Sequence, residues 1–343
     1  MEKEPVQQEE YELFEDADIT EPTLPVGPQL MVVAVILLAI FGTGYFPKIV
    51  AFFNGDETQS ATVPLSTMPE ATVENDDFDQ ETMADVFAEI SLQADSAFVW
   101  DVAKQRVLFE KNPDEQLPLA SITKLMTALI AHEILTTGTP IPISLSAILQ
   151  DGESGLVDGE RFSLEQLTDL TLMNSSNDGA FAMASAAGAV LSSEDPATTF
   201  IKTMNIRAKE LGLSQTKFRN PTGLDITKTE AGAYGSARDV AFLVEYILKN
   251  QPNILELTTK KSAAIYDETG DYHEAENTNQ YVDSIPGLIG SKTGYTELAG
   301  GNLVVAFDAG VNHPVVIVVL RSTANGRFYD VLKLSAAARL ALQ

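Results

Sequence analysis

The order of periodicities along the chain is what most constrains the fold. Ser96-Ala-Phe-Val-Trp-Asp and Arg106-Val-Leu-Phe-Glu carry strand patterns on either side of the turn Val102-Ala-Lys-Gln. Helical patterns fill the middle: 118–135, a leucine-marked helix from 164 to about 174, an alanine-rich one over 179–191, then 199–211 and 236–249. Strand patterns return at 288–292, 302–307 and 314–320, and a closing helix is predicted over 326–342. Strands at both ends with helices between them do not alternate as βαβ units. The pattern predicts one α+β domain over 88–343, with an antiparallel sheet built by both ends and a mostly helical insert.

The 87 residues before that domain read differently. Residues 1–29 are acidic, contain four prolines and lack periodicity, which predicts a disordered tail. Leu30 to Phe46 carries no charge, and apolar residues resume from Ile49 to Phe53 after Pro47 and Lys48. That predicts a transmembrane anchor over 30–53. A long acidic segment before it, with no clear Ala-x-Ala site after it, argues against a cleaved signal peptide. Lys48 weakly favours a cytoplasmic location for the C-terminal domain. Residues 54–87 contain no Lys or Arg and read as an acidic, self-repelling linker.

Charge and composition remove several function classes. The net charge is −27, and residues 1–97 hold 20 of the 49 acidic residues against 2 of the 22 basic ones. So acidic a surface is unsuited to nucleic acid. The absence of cysteine excludes disulfides, thiol catalysis and thiolate metal sites. Only His132, His273 and His313 are present. His132-Glu133 has Thr136 where a zinc-protease helix needs its second histidine, and His132 is expected on the outer face of its helix. The other two read as loop or edge residues. Neither a histidine zinc site nor a Ser-His-Asp triad is expected, and no cofactor is implied.

Within 118–135, Ser121 stands where a helix would begin and Lys124 follows on the same face. The helix start also points backbone N–H groups toward that serine. Ser-x-x-Lys alone is weak, because Ser214-Gln-Thr-Lys217 repeats it without an apolar helix behind it. Two more patches change its weight. Ser175-Ser-Asn177 lies at a helix–helix junction, where by itself it would read as a helix cap. Lys292-Thr-Gly294 lies at the end of a strand pattern, where by itself it would read as a solvated turn.

Taken in order, Ser-x-x-Lys, Ser-x-Asn and Lys-Thr-Gly form the signature of penicillin-recognising serine enzymes. The resemblance extends over about 88–335. It includes Leu119-Ala-Ser-Ile-Thr-Lys-Leu-Met-Thr-Ala-Leu, Gly159-Glu-Arg-Phe-Ser-Leu-Glu-Gln-Leu, Asn220-Pro-Thr-Gly-Leu-Asp and Gly290-Ser-Lys-Thr-Gly-Tyr-Thr. In these stretches the chain resembles the serine-type D-alanyl-D-alanine carboxypeptidases (peptidase family S11), low-molecular-mass penicillin-binding proteins that trim peptidoglycan stem peptides.

That resemblance implies a DD-peptidase/β-lactamase-like fold and acyl transfer through an ester on Ser121. It implies Lys124 as general base, kept neutral by burial and by the like charge of Lys292. Ser175 would relay a proton, Asn177 would hold Lys124 and the substrate amide, and Lys292 and Thr293 would take the substrate carboxylate. Backbone N–H groups of Ser121 and Tyr295 would form the oxyanion hole. The implied ligands are stem peptides ending in D-Ala-D-Ala and covalent β-lactam inhibitors. Two departures stand out. Many relatives have glycine where Ser176 stands, and many carry a C-terminal β-rich domain with an amphipathic anchor. Anchoring is therefore expected from the N-terminal span, with the domain outside the cell, where peptidoglycan is. Three alternatives stay open: an endopeptidase on cross-linked peptidoglycan, a class A-like β-lactamase, and a silent muropeptide or penicillin sensor. The β-lactamase lacks support, because no Glu-x-x-Leu-Asn occurs between Asn177 and Lys292.

Overall fold

The computed structural model describes residues 86–152 and 154–343. The predicted tail, the membrane span and nearly all of the linker lie outside the described residues. Among the described residues, no helix is long and apolar enough to cross a membrane.

Five antiparallel strands make the main sheet: β1 (Ser96–Asp101), β2 (Arg106–Lys111), β3 (Leu288–Thr296), β4 (Gly300–Asp308) and β5 (Pro314–Ser322). Their spatial order is β3-β4-β5-β1-β2. The pairing of β1 with β5, from Ser96 opposite Leu320 to Asp101 opposite Val315, joins the two ends of the domain. The longer helices are α1 (Lys124–Ile134), α2 (Leu164–Met173), α3 (Asn177–Leu191), α4 (Pro196–Glu210), α5 (Ala237–Asn250) and α6 (Gly326–Ala341).

Both faces of the sheet are covered, which explains why β5 reads as an unbroken apolar run rather than an alternation. Val315, Ile317 and Val319 pack with Phe328, Val331 and Leu334 of α6. Val316, Val318 and Leu320 point the other way, into the cluster holding Phe98, Trp100 and the helical layer. Each such side chain contributes roughly 1.5–3 kcal/mol on burial. Helix α1 is buried from Lys124 through Ala131, and it packs against α2, α3, α4 and α5. It is the central post of the helical layer.

Local signals set the helix starts. Ser163 and Gln166 form a capping box at α2, and Asp195 caps α4 just before Pro196. Several elements differ from the sequence expectation. The last three strands run longer, so Lys292-Thr-Gly294 lies inside β3 rather than at its end. Polar residues there hid the strand, although Lys292 and Thr293 are buried. A hairpin of Ser262–Tyr266 with Tyr272–Glu276 was not anticipated. Only Ile265 and Ala275 of its two strands are buried, too few to show as an apolar alternation, and Asp267, which accepts the Thr269 and Asp271 amides, sets its turn. His132 is not on an outer face. It is half-buried with Nε2 2.9 Å from Thr168 Oγ1, and burial lowers its pKa to about 4. His273 lies within the hairpin, bonded to Glu160, and His313 meets Asp101 beside β5.

A single carboxylate ties the last helix to the first strand. Fully buried Asp330 of α6 accepts the backbone N–H groups of Gln93 and Ala94 and the Ser322 hydroxyl, at 2.8–3.0 Å. Replacing it strands three donors, each costing about 1–3 kcal/mol when left unpaired and out of water. Asp330→Ala is therefore expected to lower unfolding stability by roughly 3 kcal/mol or more, read from denaturant midpoints at constant m-value. A loss below about 1 kcal/mol would refute this role.

Candidate functional site

Residues Ala120–Thr123 form a single 3₁₀ turn that leads directly into α1. Ser121 thus sits one turn before the helix proper, and Lys124 opens it. The turn is entered through Ala120 in the left-handed region, at φ 48°. For an L-residue with a Cβ this conformation is uncommon and costs energy. It lets the chain turn sharply so that the Ser121 hydroxyl faces the Lys124 amine.

Lys124 is completely buried. Its Nζ donates to Ser121 Oγ at 2.8 Å, to Asn177 Oδ1 at 2.7 Å and to the Thr222 carbonyl at 2.8 Å. Burial, and then the charge of Lys292, lower its pKa well below the ordinary lysine value. The Thr222 carbonyl is delivered by the loop 220–225. Asn220 Oδ1 accepts the Thr222 and Gly223 amides, and Asn220 Nδ2 donates to the Leu224 carbonyl. Gly223 has φ 83°, and a Cβ there would lie 1.8 Å from the Ala120 carbonyl oxygen. Only glycine lets this loop close on the nucleophile turn.

The second patch divides its labour. Ser176 is the N-cap of α3, its Oγ accepting the Gly179 amide at 2.9 Å. The serine found where many relatives have glycine thus works as a cap. Ser175 is held at φ 65°, and its Oγ accepts from Lys292 Nζ at 2.9 Å. Asn177 places Oδ1 on Lys124 and donates from Nδ2 to the Asp151 carbonyl at 2.6 Å.

The third patch comes from edge strand β3. Lys292 is 1% exposed, and burial together with nearby Arg327 lowers its pKa to about 7. Thr293 Oγ1 lies 2.6 Å from Thr278 Oγ1. A Cβ on Gly294 would lie 2.9 Å from the Leu119 carbonyl and 3.2 Å from the Ser121 amide nitrogen. The glycine therefore lets β3 approach the nucleophile turn and brings the Tyr295 backbone alongside. The decoy behaves otherwise: Lys217 is an exposed residue of a two-residue strand, at Lys217–Phe218.

Arg327, at the start of α6, is a site residue that the sequence reading missed. Its Nη1 donates to the Gly294 carbonyl at 2.7 Å, and burial lowers its pKa from the usual arginine value. Its Nε is buried without a hydrogen-bond partner among the described residues. No local motif marks it, because 33 residues of sheet separate it from the glycine it touches. With Lys292 and Thr293 it makes a cationic, hydroxyl-bearing end to the cleft, suited to a carboxylate. Among the described residues, no group of His, Cys, Asp and Glu side chains is arranged to hold a metal.

The site therefore offers a serine hydroxyl against a buried amine, a second serine against a second amine, and an anion-binding end. A family model described as D-alanyl-D-alanine carboxypeptidase matches residues 81–324. The chain is 33% identical over 256 residues to D-alanyl-D-alanine carboxypeptidase DacF of Bacillus subtilis, covering 72% of this chain and 62% of that protein. The chain thus spans less than two thirds of that relative's length. It is 31% identical over 237 residues to a D-alanyl-D-alanine endopeptidase of Pseudomonas aeruginosa, covering 67% of this chain and 71% of that protein. Ampicillin-bound penicillin-binding protein D2 from Listeria monocytogenes superposes with a TM-score of 0.60 at 30% identity, covering 73% of this chain and 98% of that one.

Two buried lysines leave a mark on stability. Unfolded, each takes its proton near pH 10.4; folded, Lys292 gives it up near 7, and Lys124 well below its ordinary value. Between those limits the unfolded chain binds more protons, so stability rises with pH, by up to about 1.4 kcal/mol per pH unit for each group. Lys292→Met is expected to flatten this rise between pH 7 and 10, both by removing one group and by raising the pKa of Lys124. Parallel wild-type and variant slopes in denaturant melts across that window would show that Lys292 is not held neutral.

Proposed function

The chain belongs to the serine-type D-alanyl-D-alanine carboxypeptidase family, and from that premise we propose that it removes the terminal D-alanine from peptidoglycan stem pentapeptides through an ester on Ser121. The observation that carries this reading is the 2.8 Å contact between Ser121 Oγ and a fully buried Lys124 amine, whose pKa burial lowers well below the ordinary lysine value. Neutral Lys124 takes the Ser121 proton as Oγ attacks the carbonyl between the last two residues. Backbone N–H groups of Ser121 and Tyr295 take the developing oxyanion. As the C–N bond breaks, the proton that Lys124 took from Ser121 passes by way of the Ser175 hydroxyl to the leaving amine, with Lys292 fixing the Ser175 oxygen, and Lys124 is neutral again. Neutral Lys124 then takes a proton from water as the water oxygen attacks the ester carbonyl, and returns it to the Ser121 oxygen as the ester bond breaks.

Specificity for the chain end comes from the anion-binding end of the cleft. Lys292, Thr293 and Arg327 suit the free carboxylate of the terminal residue, while Asn177 suits a backbone amide of the donor. The same contacts suit the carboxylate and acylating carbonyl of a β-lactam. Asp225, the carboxylate of the 220–225 loop, already accepts from Thr296 Oγ1 and the Leu298 amide. It is not placed as a deacylating base, which favours a long-lived β-lactam adduct over lactamase turnover.

Ser121→Ala is expected to abolish both D-alanine release from a stem pentapeptide and covalent labelling by a fluorescent penicillin. Arg327→Ala is expected to raise KM at least tenfold, corresponding to the roughly 1.5–3 kcal/mol of a charged hydrogen bond. Labelling without any D-alanine release by the wild type would favour a sensor. Cleavage confined to cross-linked muropeptides would favour endopeptidase action, which the Pseudomonas relative makes the second reading.

The substrate also bears on topology. Residues 30–53 anchor the protein in this proposal, with 1–29 inside the cell and the domain outside. A reporter fused after Gln343 is expected to be active only in its extracytoplasmic form, and activity only in the cytoplasm would reverse the assignment.

A further inference from the structure

Asp225 ends the 220–225 loop, and the acylation steps leave it without a task. The rest of the loop is seated on α1. The Thr222 carbonyl accepts from Lys124 at 2.8 Å, and the Pro221 carbonyl accepts the Thr127 hydroxyl at 2.6 Å. Asp225 reaches the sheet instead. Its Oδ1 accepts the Thr296 hydroxyl at 3.0 Å and its Oδ2 the Leu298 amide at 3.4 Å.

Thr296 has one hydroxyl proton to give. Its Oγ1 also accepts the Ala299 amide at 3.1 Å, so that proton is committed to Asp225. Thr296 is the last residue of β3 and directly follows Tyr295. Within the sheet β3 is an edge strand, paired only with β4, so the sheet holds its end from one side. The Tyr295 N–H meets an oxyanion only if that end stays close to the Ser121 turn, against which Gly294 already packs tightly. Asp225 holds the other side. A carboxylate acceptor makes the Thr296 bond stronger than a neutral one would.

We infer that Asp225 is a positioning residue, which through Thr296 holds the Tyr295 oxyanion donor in place relative to the Lys124 base. The loop that carries an acceptor for the base and the strand that carries the oxyanion donor are thereby fastened to each other. The inference rests on the proposed acylation of Ser121, and it gives a residue outside the three motifs a share in its rate. An oxyanion contact tightens in the transition state rather than in the bound substrate, whose carboxylate is taken by Lys292, Thr293 and Arg327. Loosening it therefore lowers kcat and leaves KM in place.

The test measures D-alanine release from a stem pentapeptide and acylation of Ser121 by a fluorescent penicillin, both with the whole chain. Asp225→Ala is expected to lower kcat about tenfold with KM within about twofold, short of the roughly 10²–10³ lost when an oxyanion donor is removed outright. Asp225→Asn keeps an acceptor for Thr296 and is expected to recover most of the rate. Thr296→Val removes the same bond from the strand side, and serves should Asp225→Ala fail to fold. The two substitutions together are expected to slow the reaction no further than either alone, because they break one bond. An unchanged kcat in both single variants, a loss confined to KM, or losses that multiply in the double variant overturns the assignment. Penicillin acylation separates this role from the carboxypeptidase reading. If the wild type releases no D-alanine, yet both single variants slow labelling at saturating penicillin, the positioning role stands and the proposed activity falls. If the wild type releases D-alanine and both variants are labelled at its rate, the positioning role falls alone.

Discussion

The structure turns on one amine kept out of water. A charged lysine in a dry interior is expensive, and the cost falls if the group gives up its proton or finds acceptors in every direction. Lys124 has acceptors from three separate places: its own helix entry through Ser121, the start of α3 through Asn177, and the 220–225 loop through Thr222. Each of those segments is shaped by that requirement. The 220–225 loop is folded on Asn220 and admitted by Gly223, and α3 begins at Asn177 because Ser176 caps it. The burial that makes the amine costly also lowers its pKa, which favours the neutral form that can take a proton.

A second lysine sharpens the effect. Lys292 approaches from the sheet, and its charge adds to burial in disfavouring a proton on Lys124. Lys292 is in turn lowered by burial and by Arg327. The three basic groups differ in enclosure: the two fully buried amines face the serine hydroxyls, and the less buried guanidinium faces the anion end. Two of the six non-glycine residues at positive φ among the described residues lie in the same place. Ala120 and Ser175, both with a Cβ and both at positive φ, flank the two hydroxyls that must meet amines.

The sequence showed the fold where packing leaves a period and the site where chemistry leaves a motif. The antiparallel sheet closed by both termini was legible because β1, β2, β4 and β5 carry apolar residues in bulk. Strand β3 was half-hidden because its buried residues are a serine, a lysine, a threonine and two glycines. The 262–276 hairpin was invisible because its turn is set by Asp267 rather than by an apolar pattern. His132 was misplaced because a histidine on a helix gives no sign that Thr168 awaits it. Ser121, Lys124, Ser175, Asn177 and Lys292 converge because three short motifs from distant segments pack against one helix. Arg327 escaped notice because it acts through a contact across the fold that no local spacing records.

Asn177 is where these two kinds of information meet. Its carbonyl oxygen must face the Lys124 amine and its amide nitrogen the Asp151 carbonyl, so neighbours at both ends fix one orientation of the side chain. Turning it over would set nitrogen against nitrogen and oxygen against oxygen. The residue that holds the catalytic base is therefore itself held by the Asp151 backbone, so a shift of that segment acts on the amine that takes the Ser121 proton.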